Sequence, residues 1–287
     1  MKLVRYGPRG QERYGVLDVQ GGVRDITSEY GSEDGTAGAG ASILEPRSLE
    51  RLRALDVASL PLVEGEIRLG PCVAGVGKLI GVGLNYRQHA IESGMAAPTE
   101  PVLFTKAITS ISGPFDDVVI PASSQKTDWE VELAVVIGQP CKNVPESKAL
   151  DHVAGYAIMN DVSERAYQLE GTGQWLKGKS LDTFAPFGPW LVTTDEIPDP
   201  QNLRLWLSVN DEVMQDSNTS DMLFPVSHLV SYISRYMTLL PGDVIATGTP
   251  EGVGMGKEPQ RYLREGDVMV LGVEGLGEQR QRVVRAS

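Results

Sequence analysis

The chain is poor in the residues that staple or anchor a protein. Its two cysteines, Cys72 and Cys141, lie far apart and form no C-x-x-C. That argues against a disulfide framework or a thiolate metal site and fits a reducing compartment, the cytoplasm. No apolar run approaches the ~20 residues of a membrane span, so no membrane partner is expected. The opening "MKLVRYGPRGQERYG" lacks the apolar core of a signal peptide. Positive charge is scarce as well: 26 Lys and Arg stand against 38 Asp and Glu, a net charge of −12. No basic patch stands out, which argues against nucleic acid as a partner. An acidic protein that handles an acidic ligand must then supply local positive charge, from a few lysines and arginines or from a metal.

What is present describes an ordinary globular protein. The 287 residues, 41% of them hydrophobic, suffice for one large domain or two modest ones. "KLVRY", "YGVLDV" and "VRDI" read as a small β-meander. "GSEDGTAGAGAS" (32–43) reads as a mobile loop, and "SLERLRAL" (48–55) as a helix with Ser48 as its N-cap. A boundary near residue 72 separates a small N-terminal α/β domain (1–71) from a larger unit (72–287). The larger unit is mostly strand, as in "LIGVGL" (79–84), "WEVELAVVIG" (129–138), "AGYAIMND" (154–161) and "DVIATG" (243–248). Its helices are placed at about 146–152, 162–170 and 225–238. The whole is a mixed α+β fold, mostly β.

Two motifs invite a nucleotide. From Gly173, "GQWLKGKS" fits G-x-x-x-x-G-K-S/T, the phosphate loop. That loop needs a buried strand before it and a helix after it. Here a helical segment precedes it, and "LDTFAPFGPW", with Pro186 and Pro189, follows. "GVGLNY" (81–86) is a broken dinucleotide fingerprint without its third glycine. Neither context supports a nucleotide.

The chemistry lies elsewhere. In "TDWEVELAVVIG" read as a strand, Glu130 and Glu132 share a face with Ala134 and Val136. Two like charges on an otherwise apolar face are costly to bury unless something neutralises them. Asp161 ends the next apolar strand. As D-x-x-E with Glu164 it also fits a helix cap, and capping competes with metal ligation for the same oxygens. If Glu130, Glu132 and Asp161 converge, the all-oxygen set suits Mg²⁺ or Mn²⁺ rather than zinc. His89 and Glu92, at i and i+3, would meet on a helical turn as a general base and its orienting carboxylate. His152 and His228 have no acidic residue at i±3 or i±4. Arg165 and Gln168, Lys179, and the glycine-rich "TGTPEGVG" with Thr249 would add donors for an anionic ligand.

In this order, "GVGLNYRQHAIESG", "PVLFTKAITSISGP", "TDWEVELAVVIG", "GYAIMNDVSERAYQ", "WLKGKSLDTFAPFGPWLVT", "PGDVIATGTPEGVG" and "LREGDVMVLGVEGLG" resemble the fumarylacetoacetate hydrolase family, across residues 72 to 283. The resemblance implies a β-roll catalytic domain, a small N-terminal domain and a homodimer. It implies Mg²⁺ as the usual ion, with Mn²⁺ as the alternative, on Glu130, Glu132 and Asp161, and a His89–Glu92 dyad on a segment that orders over the substrate. Lys179 and Gln168 match oxyanion-stabilising positions. Arg165, Thr249, Tyr86 and Lys106 match substrate contacts. Some members carry a further carboxylate ligand before the histidine; here Asn85 and Tyr86 stand there. The implied reaction is hydrolysis of a C–C bond in a 2,4-diketo acid. The bacterial sugar-acid branch, acting on 2,4-diketo-3-deoxy-rhamnonate or -fuconate to give pyruvate and lactate, is the nearest pattern. Acylpyruvate hydrolase, oxaloacetate decarboxylase, ureidoglycolate lyase and a non-catalytic acid-binding protein are the alternatives.

Overall fold

The structure is a computed structural model that describes residues 1–30, 40–94 and 96–286. Strands dominate and form two large sheets. Across the first, the order is Val23–Asp25, Arg13–Leu17, Lys2–Tyr6, Ala185–Thr193, Val153–Asn160, Val131–Ile137, Val244–Ala246, Leu79–Gly83 and Val102–Thr105; Ile111–Ser112 pairs off this path with Ala185–Thr193. The second comprises Glu212–Asn218, Arg204–Val209, Val268–Val273, Gly277–Arg285 and Val118–Ile120. The mixed, mostly β reading of the sequence holds.

The strand Val131–Ile137 shows why. Every residue of it is buried, so it is covered on both faces. Val131, Leu133, Val135 and Ile137 pack into one core with Leu205, Leu207 and Met269 of the second sheet. Ala134 and Val136 pack into the other core with Leu3, Tyr14, Ile43 and Leu79. The period-2 pattern therefore sorts its side chains between two cores. The N-terminal meander joins the same sheet through Lys2–Tyr6, which pairs antiparallel with Ala185–Thr193.

The helices differ from the sequence reading in their ends. The first begins at Pro46, not Ser48, with Glu45 in the N-cap position and no side-chain cap bond. Proline at the first helical position needs no N–H there, which moves the start forward. The expected 162–170 helix is confined to Arg165–Leu169. The 146–152 segment is a 3-10 helix, and the third helix spans Val226–Tyr236. A short helix not anticipated, Leu176–Lys179, follows the 171–175 turn. Of the 32–43 loop, residues 32–39 lie outside the described residues, and Gly40–Leu44 forms a 3-10 turn. Among the described residues, no helix is long and apolar enough to cross a membrane.

Candidate active site

Strand register brings the acidic residues together. Met159 pairs with Glu132 and Asn160 with Val131, and the Asp161 N–H then donates to the Glu130 carbonyl at 2.9 Å. Three carboxylates from two adjacent strands meet at one edge: ligand oxygens of Glu130, Glu132 and Asp161 lie within 4.8 Å of one another. All three are buried. The competition at Asp161 resolves in favour of the cluster. The cap of the Arg165–Leu169 helix is Glu164, whose side chain accepts from the Ala166 N–H and from Thr127 at 2.8 Å.

Buried cations compensate most of this charge. Lys179 Nζ donates to Glu130 at 2.8 Å and to Asp161 at 2.7 Å. Lys106 Nζ donates to the other Asp161 oxygen at 2.5 Å. Arg165 places Nη2 at 2.7 Å from Glu130 and Nε at 3.0 Å from Asp128. Burial alone would raise the Glu130 pKa, but Lys179 and Arg165 hold it down at about 2. Glu132 behaves oppositely. Burial first, then Asp161 and Glu130, push it well above the carboxylate range, and the charge of Lys179 and the Gly248 N–H, at 2.8 Å, offset only part of that. Burial pulls Lys179 down, yet Asp161 and Glu130 raise it overall. At Lys106 burial wins and lowers the pKa. Four carboxylates (Asp128, Glu130, Glu132, Asp161) thus face three cations (Lys106, Arg165, Lys179), and the uncompensated charge falls on Glu132. Buried charge in that position calls for a proton or a further cation. Glu130, Glu132 and Asp161 offer a hard cation an all-oxygen donor set.

A narrow cleft of about 30 Å³ opens on this floor. His89, Glu130, Glu132, Arg165, Gln168, Lys179 and Thr249 line it. His89 lies on the short helix Arg87–Glu92, with Nδ1 at 3.4 Å from Glu92. Glu92 in turn accepts the Gly252 N–H at 3.0 Å, and a Cβ at Gly256 would fall 2.2 Å from the Glu92 carboxyl carbon. The dyad helix is therefore seated on the glycine-rich loop. Arg165 Nη1 donates to Gln168 Oε1 at 3.0 Å, which leaves the Gln168 amide N–H groups for the cleft. The Thr249 hydroxyl donates to the Val131 carbonyl at 2.9 Å and accepts from Gln215.

Two expected substrate contacts stand apart from the lining. Tyr86 packs in the core, and its hydroxyl has no hydrogen-bond partner among the described residues. Burial, then the charge of Glu132, push its pKa well up. Lys106 is bound to the cluster itself. Asn85 donates to Phe224 and Thr247 carbonyls and accepts the Phe224 N–H, so its amide is a clamp between loops. His228 pairs with Glu146 at 3.2 Å on the surface, a partner that i±3 and i±4 spacing could not reveal.

Sequence reasoning missed Asp128 and the aromatic wall. Asp128 lies two residues before Glu130, so the face carrying the glutamates was open to a third acid. Phe104 and Trp175 line the cleft with Leu84, Leu169 and Met255, and their rings lie 5.5 Å apart. A Cβ at Gly81 would come within 2.2 Å of the Phe104 ring, and one at Gly83 within 2.5 Å of Trp175. The "GVG" glycines make room for rings, not for a dinucleotide. The phosphate-loop lysine, Lys179, is buried against Glu130 and Asp161 and under the Phe104 ring at 4.9 Å.

Comparisons with known proteins agree with this architecture. The fumarylacetoacetate (FAA) hydrolase C-terminal family matches residues 78–284. A Burkholderia multivorans protein, provisionally named a hydrolase with no substrate given, is 57% identical over 98% of both chains. The fumarylacetoacetate hydrolase of Exiguobacterium antarcticum superposes with a TM-score of 0.87 at 38% identity, over all of both chains. The maleylpyruvate hydrolase of Sphingobium sp. SYK-6, in complex with manganese(II) and pyruvate, does so with a TM-score of 0.82 at 31% identity, again over all of both chains.

Proposed function

The chain belongs to the fumarylacetoacetate hydrolase family, and we propose from its site that it hydrolyses the C–C bond of a short 2,4-diketo acid with Mg²⁺ or Mn²⁺ as cofactor. The observation that carries the reading is the buried cluster of Glu130, Glu132 and Asp161 beneath His89, which together with Asp128 carries one negative charge more than Lys106, Arg165 and Lys179 compensate. A divalent cation on these oxygens supplies a Lewis acid for the 2-oxo acid end of the substrate.

The remaining work falls to side chains. His89, oriented by Glu92, takes a proton from water, whose oxygen adds to the distal carbonyl carbon. Lys179 uses two of its three N–H donors on Glu130 and Asp161; the third, with the Gln168 amide, serves the developing oxyanion. The bond between that carbon and the adjacent methylene breaks. The methylene carbon takes up a proton, so that water and a diketo acid become pyruvate and a second carboxylic acid.

The wall of Leu84, Phe104, Leu169, Trp175 and Met255 favours a short, mainly apolar distal group. The Ser93 hydroxyl lines the cleft and has no partner among the described residues, which leaves it for one substrate hydroxyl. A lactoyl group, with one methyl and one hydroxyl, fits both features. The first substrate to try is therefore 2,4-diketo-3-deoxy-L-rhamnonate, with the fuconate-derived compound beside it.

The test is incubation of purified protein with Mg²⁺ and this compound, with pyruvate and lactate measured, next to acetylpyruvate and oxaloacetate. Stoichiometric pyruvate and lactate, abolished by EDTA, are expected. Turnover of acetylpyruvate alone makes the enzyme an acylpyruvate hydrolase. Pyruvate from oxaloacetate alone makes it a decarboxylase. Activity that survives saturating EDTA overturns the metal reading, and silence on all compounds turns attention to ureidoglycolate and to a binding role.

A further inference from the structure

Asp128 is fully buried yet stands outside both the carboxylate cluster and the lining of the cleft. Its contacts nevertheless reach both halves of the site. Oδ2 accepts from Arg165 Nε at 3.0 Å and from the Met255 N–H at 3.0 Å. Oδ1 accepts from the Gly254 N–H at 2.6 Å and from the Trp129 N–H at 2.9 Å. The adjacent Trp129 indole donates to the Gly252 carbonyl at 3.1 Å. Residues 128 and 129 thus hold the glycine-rich loop at Gly252, Gly254 and Met255.

That loop is the seat of the dyad helix, because the Gly252 N–H is bonded to Glu92. On its other side Asp128 fixes the guanidinium that pairs with Glu130 and orients Gln168. One carboxylate therefore sets both the position of the base and the orientation of the oxyanion donor. Buried side-chain networks of this kind act as units, so loss of one member displaces the others.

We infer that Asp128 is a positioning residue for the proposed hydrolysis, tying the Arg165–Gln168 pair to the loop that seats Glu92 and His89. This rests on the reading of the site as a diketo-acid hydrolase. Asparagine keeps the shape of Asp128 and its Oδ1 acceptor but places an NH₂ against the Arg165 and Met255 donors. The structure assigns Asp128→Asn a specific pattern. Mn²⁺ affinity falls far less than kcat, because Glu130, Glu132 and Asp161 all remain. The kcat falls by roughly tenfold to a hundredfold, as expected for groups displaced by an ångström or less, with KM little changed. Backbone amides of residues 86–94 and 252–256 exchange hydrogen faster than in the parent protein. In a His89→Ala background the substitution causes little further loss.

Unchanged kcat, full additivity with His89→Ala, or loss of Mn²⁺ binding in step with kcat each overturns the inference. If Asp128→Asn fails to fold, exchange in the unmodified protein decides. Gly254 and Met255 amides should be protected like those of Val131–Ile137, and rapid exchange there refutes the tie. If the unmodified protein turns over no diketo acid, the proposed reaction falls. Exchange at 86–94 in Asp128→Asn then still decides whether Asp128 controls the dyad helix.

Discussion

The floor of the cleft and the segment that covers it are held in different ways. The floor stands on two fully buried strands, Val131–Ile137 and Val153–Asn160, and is locked by ion pairs of 2.5–2.8 Å around Glu130 and Asp161. The cover is the six-residue helix Arg87–Glu92. It leaves Ile91 66% exposed and meets the glycine loop through Glu92. A short helix with few buried contacts opens more readily than a central strand. The contrast predicts a rigid ion site and a more mobile base.

The largest expected effect breaks the floor. Glu130→Gln deprives Lys179 and Arg165 of their shared buried partner. It should destabilise the protein by about 3–5 kcal/mol and abolish Mg²⁺-dependent turnover, which thermal denaturation and the pyruvate assay will read. A stable variant would show that Asp161 suffices for the lysine and Asp128 for the arginine.

His89→Ala breaks the cover alone. A drop in kcat of about 10²–10⁴-fold is expected, with Mg²⁺ binding retained by calorimetry. Full activity would remove His89 from the water-activating step. Loss of metal binding would show that floor and cover are not separable.

The third experiment sharpens the contrast within the floor itself, between Glu130 and Glu132. Glu132 has a raised pKa in the fold, so without metal the folded state holds a proton that the unfolded chain releases in the ordinary carboxylate range. The Glu132 contribution to the stability of the EDTA-treated protein should therefore be full below that range and be lost as pH rises through it towards the raised value, against the opposite trend of Glu130. Mg²⁺ bound at Glu132 would displace that proton, so its binding should tighten with pH. At a hundredfold excess over its dissociation constant it should add about 2.7 kcal/mol. Glu132→Gln should flatten the metal-free pH dependence and lose the Mg²⁺ response. A melting temperature independent of pH and of Mg²⁺ would contradict the charge imbalance.

The smallest effect concerns the wall. Trp175→Leu should lower kcat/KM roughly fivefold for a lactoyl or acetyl substrate, mostly through KM, and leave metal binding alone.

Much of the floor was legible in the sequence, because strand periodicity places Glu130 and Glu132 on one face whatever the fold around them. From spacing alone Asp161 was legible as an acid, and only the family resemblance placed it among the ligands, since cap and cluster make the same demand on its oxygens. Only the register against Val131–Ile137, and Glu164 acting as the cap, separate the two. The His89–Glu92 pair follows from helical spacing. Its seat on Gly252 does not, because 160 residues separate the partners. Asp128 escaped for a related reason. The strands Thr127–Asp128 and Val131–Ile137 belong to two different sheets, and the partners of Asp128 (Arg165, Gly254 and Met255) come from segments that only folding assembles. The resemblance implies a substrate contact at Lys106, and the structure places it on Asp161.

Gly81 and Gly83 bear on how this cleft can change by descent. Each missing side chain is the mould for a ring contributed by a distant segment, Phe104 for one and Trp175 for the other. A larger residue at either glycine alone collides with its ring, and a smaller residue at either ring alone leaves a void beside bare backbone. Substrate preference in such a wall therefore drifts by coupled exchanges, a ring shrinking as its glycine gains a methyl. Sister proteins with different acyl preferences should differ at positions 81 and 104 together, or at 83 and 175 together, rather than at one of each pair.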